Sequence, residues 1–125
     1  MSRIRGRNTG PERVVRRLLR TLRVRFRSNA RTLPGNPDFV VPAKRGAVFV
    51  HGCFWHGHAG CKRATIPATR TAFWKKKIEG NRRRDGRVQR ALRRLGWRVM
   101  VIWECRMGSA ERLTARLKRF LRVRR

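Results

Sequence analysis

Apolar residues recur along the chain with two periods. Val14, Val15, Leu18, Leu19 and Leu22 follow helical spacing with arginines between them, which predicts an amphipathic helix of about four turns. Its start is marked by Thr9-Gly10-Pro11-Glu12: a Thr N-cap, Pro in the first turn, and Glu three residues on as in a capping box. Val24 and Phe26 then alternate with arginines, so the helix is expected to hand over to a strand there. Residues 28–37 form a loop ending in the turn signal Pro34-Gly35-Asn36-Pro37. Asp38-Phe39-Val40-Val41 reads as a short strand, Pro42 to Gly46 as a turn, and 47–51 as a buried strand. Two short strands about a tight turn predict an antiparallel hairpin, with Asp38 at the same end as Val50 and His51.

Residues 61–69 form a basic loop, and a long helix is expected over about 70–95. Its apolar stripe is Trp74, Ile78, Val88, Leu92 and Leu95, interrupted by Asn81 and Asp85. A polar pair on an otherwise inward face requires partners. Gly96 reads as the helix C-cap. Residues 97–103 are a further strand, leading into Glu104-Cys105, and a last helix is expected over 109–121 with Leu113, Leu117, Phe120 and Leu121 on one face. No repeat or linker divides the pattern. It describes one α/β domain over 1–125, a small central sheet flanked by helices.

Charge changes the picture most. Lys and Arg number 35 against 6 Asp and Glu, for a net charge of +29 over 125 residues. Such a field calls for a polyanion, and nucleic acid is the first reading. No apolar run approaches the length of a membrane span. No apolar leader follows Met1-Ser2-Arg3-Ile4-Arg5, so a cytoplasmic protein is expected. Residues 1–8 are basic and read as a flexible arm for a DNA groove.

The segment Gly46 to Cys61 holds all three histidines and two of the three cysteines. Cys53, His58, Cys61 and the separate Cys105 offer three thiolates and one imidazole, a closed tetrahedral set for structural zinc. Spacing alone does not separate His58 from His56 as the nitrogen ligand. Phe54 and Trp55 sit inside this Gly- and His-rich loop, where they are either core or stacking wedges for a base step.

Several motifs then agree in order: L-P-G-N-P-D-F-V-V, V-F-V-H-G-C-F-W-H-G-H, P-A-T-R-T-x-F-W, and L-G-W-R-V-x-V-I-W-E-C. Together they resemble the very-short-patch repair (Vsr) endonucleases, which nick DNA beside T in the T:G mismatch left by deamination of 5-methylcytosine. The resemblance implies a fold similar to the PD-(D/E)xK restriction-type nucleases. It implies catalytic magnesium on Asp38 and the backbone carbonyl of Val50, and structural zinc on Cys53, His58, Cys61 and Cys105. It further implies His56 as the group activating water, Asp85 orienting it, and His51, Asn81 and Glu12 arranging metal-bound water. Phe54, Trp55 and Trp74 correspond to aromatics that intercalate at the mismatch. The expected partner is duplex DNA with a T:G mismatch, bound by a monomer, with a functional link to a cytosine-5 methyltransferase and to mismatch-repair proteins.

The residue chemistry supports the same assignments. With so few acids, Asp38 is the best carboxylate for a hard cation, and the near-neutral pKa of His suits His56 to proton transfer. The structural alternatives are that Asp38 and Glu12 serve as caps, Asp85 pairs with an arginine, Asn81 is a satisfied core amide, and Trp74 is core. Trp97 and Trp103 are assigned to the core. Two other functions fit the composition: a zinc-stapled nucleic-acid-binding module without catalysis, and a general or restriction-type nuclease.

Overall fold

A computed structural model describes residues 10–123. The capping partner Thr9 and the basic arm 1–8 lie outside the described residues. Helix α1 spans Gly10–Thr21 and buries Val15, Leu18, Leu19 and Leu22. It is about a turn shorter than its apolar pattern suggests. Leu22 still donates to the Leu18 carbonyl, but Arg23 takes a left-handed φ of 58° and ends the helix.

Strands β1 (Arg27–Ser28), β2 (Phe39–Val41), β3 (Gly46–His51) and β4 (Arg98–Trp103) form one sheet in the order β1-β2-β3-β4. The first two pairings are antiparallel and β3–β4 is parallel. The expected strand at Val24–Phe26 is displaced to Arg27–Ser28. Val24 and Phe26 instead pack against the core from a loop, with Phe26 edge-on to Phe39 at 5.8 Å. The predicted hairpin is present, with Phe39 opposite Val48 and Val41 opposite Gly46.

Strand alternation sorts the core onto two faces. Phe39, Val41, Val48 and Ile102 meet α1 and helix α3 (Ala110–Leu121), which contributes Leu113, Leu117 and Leu121. Val40, Ala47 and Phe49 meet helix α2 (Thr71–Arg94) through Leu92 and Val88. Each fully buried Leu contributes roughly 2 kcal/mol, so both helical layers are held mainly by their aliphatic stripes. The crossover from β3 to β4 runs through α2, as a parallel pair requires. Leu95 departs from its expected inward place and is 54% exposed. It stands at the C-cap of α2, where the chain turns through Gly96 (φ 91°) and Arg45 donates to the Leu95 carbonyl at 2.6 Å. Trp97 is half-buried against the α2-side core with the Arg45 guanidinium over its ring. Among the described residues no helix is long and apolar enough to cross a membrane.

Candidate active site and metal centre

The C-terminal end of β3 opens into a cleft of about 820 Å³ whose lining includes Glu12, Asp38, His51, His56, Asp85 and Glu104. The hairpin register brings Asp38 to Val50, whose backbone N–H donates to Asp38 Oδ2 at 2.7 Å. Glu12, in the first turn of α1, is only 4% exposed. Burial pushes the Asp38 carboxyl up to about 7 against the hydrogen bond from Val50, and the charge of Glu12 adds to the rise. Two acids converging in a buried place, one of them costly to ionise, suit a bound cation.

His56 faces this pair from the loop after β3. The amides of His56, Gly57 and His58 donate back to the carbonyls of Gly52, Phe54 and Cys53, coiling the loop tightly. Gly57 has φ +56°, and a Cβ there would lie 2.5 Å from Ile78 Cγ2 on α2, so glycine permits both the turn and the close approach. The loop satisfies both polar interruptions of the α2 stripe. Asp85 Oδ2 lies 2.6 Å from His56 Nδ1, and Asn81 Nδ2 donates to the Trp55 carbonyl at 2.8 Å. With Nδ1 held by a carboxylate, His56 has Nε2 left to exchange a proton. His51 lies against His56, the ring centroids 3.8 Å apart and the planes within 1°. His51 is 5% exposed, and burial followed by the nearby His56 lowers its pKa to about 4. Its ring is therefore neutral at ordinary pH. Asn81 is not brought into the cleft lining.

Beyond the cleft, ligand atoms of Cys53, His58, Cys61 and Cys105 lie within 4.8 Å of one another. Cys105 Sγ is 3.3 Å from His58 Nδ1. Donors around a tetrahedral zinc stand roughly 3.5 Å apart, so the set closes on a metal with little movement. Geometry separates the two histidines: His58 joins the cysteines and His56 turns to Asp85. Burial pushes the Cys53 thiol up to about 11, with the neighbouring Cys105 and Cys61 thiols acting in the same direction. A metal in the cluster would reverse that by stabilising thiolate.

Phe54, Trp55 and Trp74 form one aromatic cluster, with centroids between 5.0 and 5.8 Å. Phe73 extends it edge-on to Trp74. Trp55 is 49% exposed and Phe73 44%, so the cluster presents apolar rings to solvent on a strongly basic protein.

Trp103 corrects the sequence reading. It is half-buried, and its ring stacks on His58 at 4.1 Å with planes 7° apart. Glu104, unassigned by sequence, accepts from the Cys53 N–H at 3.4 Å and borders the cleft. For Glu104 the signal lay in the chain, because it directly precedes the candidate ligand Cys105 at a strand end; the apolar run that Trp103 closes carries none.

Known proteins are similar to this chain over much of its length. A family model described as DNA mismatch endonuclease Vsr matches residues 1–63. The type II nicking enzyme V.XorIIP of Xanthomonas oryzae pv. oryzae is 48% identical over 121 residues, covering 97% of this chain and 88% of that protein. The DNA mismatch endonuclease Vsr of Escherichia coli is 46% identical over 114 residues, covering 91% of this chain and 72% of that protein. The type II nicking enzyme V.NmeAIP of Neisseria meningitidis is 38% identical over 122 residues, covering 98% and 86%. Because the matches span nearly the whole sequence, the chain belongs to the Vsr family of DNA mismatch endonucleases and is a DNA-cleaving hydrolase.

Proposed function

We propose that this protein nicks one strand of duplex DNA 5′ to the T of a T:G mismatch, by divalent-metal-dependent phosphodiester hydrolysis. The observation that carries the reading is the convergence in one cleft of Asp38, beside the Val50 amide at 2.7 Å, with His56, held by Asp85 at 2.6 Å. The sheet, with Asp38 at the end of a β-hairpin beside Val50, is consistent with a PD-(D/E)xK-like scaffold. The relatives named nicking enzymes support cleavage of a single strand.

Asp38 and the Val50 carbonyl are the groups that would hold magnesium. When bound, that ion supplies positive charge for the scissile phosphate. Glu12 adds negative charge to the same place and helps orient solvent there. His56 Nε2 takes the proton of the attacking water, and Asp85 fixes the tautomer at Nδ1 and stabilises the imidazolium. His51, neutral, packs the base in place. Asn81 holds the Trp55 carbonyl and so helps, through the loop that carries His56, to arrange metal-bound water. Phe54, Trp55 and Trp74 wedge beside the mismatch, where weak pairing makes opening less costly. Zinc on Cys53, His58, Cys61 and Cys105 staples the loop carrying His56. A cytoplasmic monomer acting where a cytosine-5 methyltransferase has worked, ahead of other mismatch-repair proteins, completes the reading.

The test is nicking of end-labelled duplexes, one with a T:G mismatch in a cytosine-methylation site and one fully paired, with magnesium, with EDTA, and with Asp38→Ala. Cleavage confined to the mismatched T strand, lost with EDTA and with Asp38→Ala, is expected. Cleavage of both duplexes would make the protein a general nuclease, and binding without cleavage a non-catalytic module.

A further inference from the structure

The ring of Trp103 touches all three histidines of the chain. It stacks face to face on His58 at 4.1 Å. It meets His51 at 5.2 Å and His56 at 6.3 Å, both with planes 75° apart. Two features of the fold put it there. In the parallel ladder His51 and Trp103 are register partners on the last rung, so their side chains leave the same face of the sheet. Two residues later, in a tight 3-10 turn, the chain supplies Cys105 to the metal cluster. One indole thus stands between the donor set around His58 and the stacked pair of His51 and His56.

We propose that Trp103 is a positioning residue for the cleavage reaction, a rigid spacer through which the metal cluster fixes the ring planes of His51 and His56. The proposal rests on the assignment of His56 as base and of the cluster as a zinc site. An imidazole turns about χ1 and χ2 once its backbone is set, and rings packed against its face and edge restrict both. His58 is held at Nδ1 beside Cys105 Sγ, so its plane sets that of Trp103. Trp103 in turn supports His51, which lies parallel to His56. Asp85 restrains His56 at Nδ1 alone, so the stack supplies the second restraint that aims Nε2.

Trp103→Met keeps an unbranched apolar side chain and loses the ring, while Trp103→Phe keeps one ring. Each is prepared with metal content measured and compared with the wild type in two ways. The first is exchange of cluster zinc for the larger cadmium ion, followed by ¹H–¹⁵N signals of the histidine rings in the absence of DNA. The signals of His51, which lies on β3 outside the loop that the cluster holds, are expected to shift in the wild type and in Trp103→Phe, and to stay fixed in Trp103→Met. The second is single-turnover nicking of the mismatched duplex at saturating enzyme. Trp103→Met with a full complement of zinc is expected to lose about 10- to 100-fold in rate, with DNA affinity within about 3-fold. Trp103→Phe is expected to recover most of that loss. Wild-type His51 signals indifferent to cadmium overturn the proposal, as do His51 signals that still respond in Trp103→Met. A rate loss that only follows lost zinc or lost folding overturns it too. A wild type that nicks no duplex would sink the endonuclease reading and leave the ring coupling to be decided by the NMR signals alone.

Discussion

The rings of His51 and His56 lie face to face, 3.8 Å apart and within 1° of parallel, with the carboxylate of Asp85 at Nδ1 of the second ring. One histidine is buried and neutral while the other is oriented by an acid, a division that suits packing for His51 and the proposed proton transfer for His56. Asp85→Asn keeps the shape but removes the charge that fixes the tautomer. Single-turnover nicking is expected to fall by on the order of 100-fold with DNA affinity unchanged. His56→Ala is expected to fall at least as far. An Asp85→Asn enzyme with wild-type rate would exclude Asp85 as the orienting acid, and a His56→Ala enzyme with wild-type rate would exclude His56 as the base.

Asp38 and His51 make opposing contributions to stability in the metal-free protein. The carboxyl of Asp38 is raised from 3.8 to about 7. The folded state therefore holds a proton that the unfolded chain has released, and stability falls as pH rises from about 4 through 7. His51 is lowered from 6.5 to about 4, so its contribution is lost as pH falls through that window. Asp38→Asn should raise the melting temperature in chelator at pH 8 and change it little at pH 4, while abolishing nicking. Equal melting temperatures of wild type and Asp38→Asn at pH 8 would show that Asp38 is not costly to ionise. His51→Phe should flatten the acid limb between pH 6.5 and 4.

The long helices, the hairpin and the placement of Asp38 beside Val50 were legible because each follows from local rules: stripe periodicity, a tight turn, and the register that a turn dictates. The two polar breaks in the α2 stripe were legible as a demand for partners, though not which partners. His56 and His58 were inseparable by spacing because both sit on one coiled loop, and only its path sends one ring to Asp85 and the other to Cys105. Trp103 was hidden for a different reason. Val99-Met100-Val101-Ile102-Trp103 reads as an uninterrupted apolar strand, and periodicity does not reveal that its last rung abuts three histidines. Leu95 misleads because the stripe continues onto the C-cap of α2, one residue beyond Arg94, where the chain turns into Gly96.

Metal removal should loosen the loop more than the sheet. Cys53 is fully buried and joins the loop to Glu104, while the core clusters on both sheet faces are built without it. Cys61→Ser is expected to lower zinc affinity by at least 10-fold and to expose the 53–61 segment to limited proteolysis. Far-UV circular dichroism should stay close to that of the wild type. Collapse of the whole circular dichroism signal would mean that the cluster holds the fold together and does not merely position the loop.

The aromatic cluster and the basic surface should separate in a binding experiment. Trp55 is half in solvent and edge-on to both Phe54 and Trp74, so truncation removes stacking surface while leaving its neighbours supported. A stacked base is worth roughly 1–3 kcal/mol. Trp55→Ala should therefore lower the preference for the T:G duplex over the paired one by on the order of 10-fold, with the same salt dependence as wild type. Lys75, exposed on α2 beside Trp74, offers the opposite case. Lys75→Ala should weaken both duplexes alike and reduce the slope of log affinity against log salt by about 1. Fluorescence anisotropy across a salt series reads both quantities at once. A Trp55→Ala protein that loses affinity equally for both duplexes would show that the rings bind DNA without sensing the mismatch.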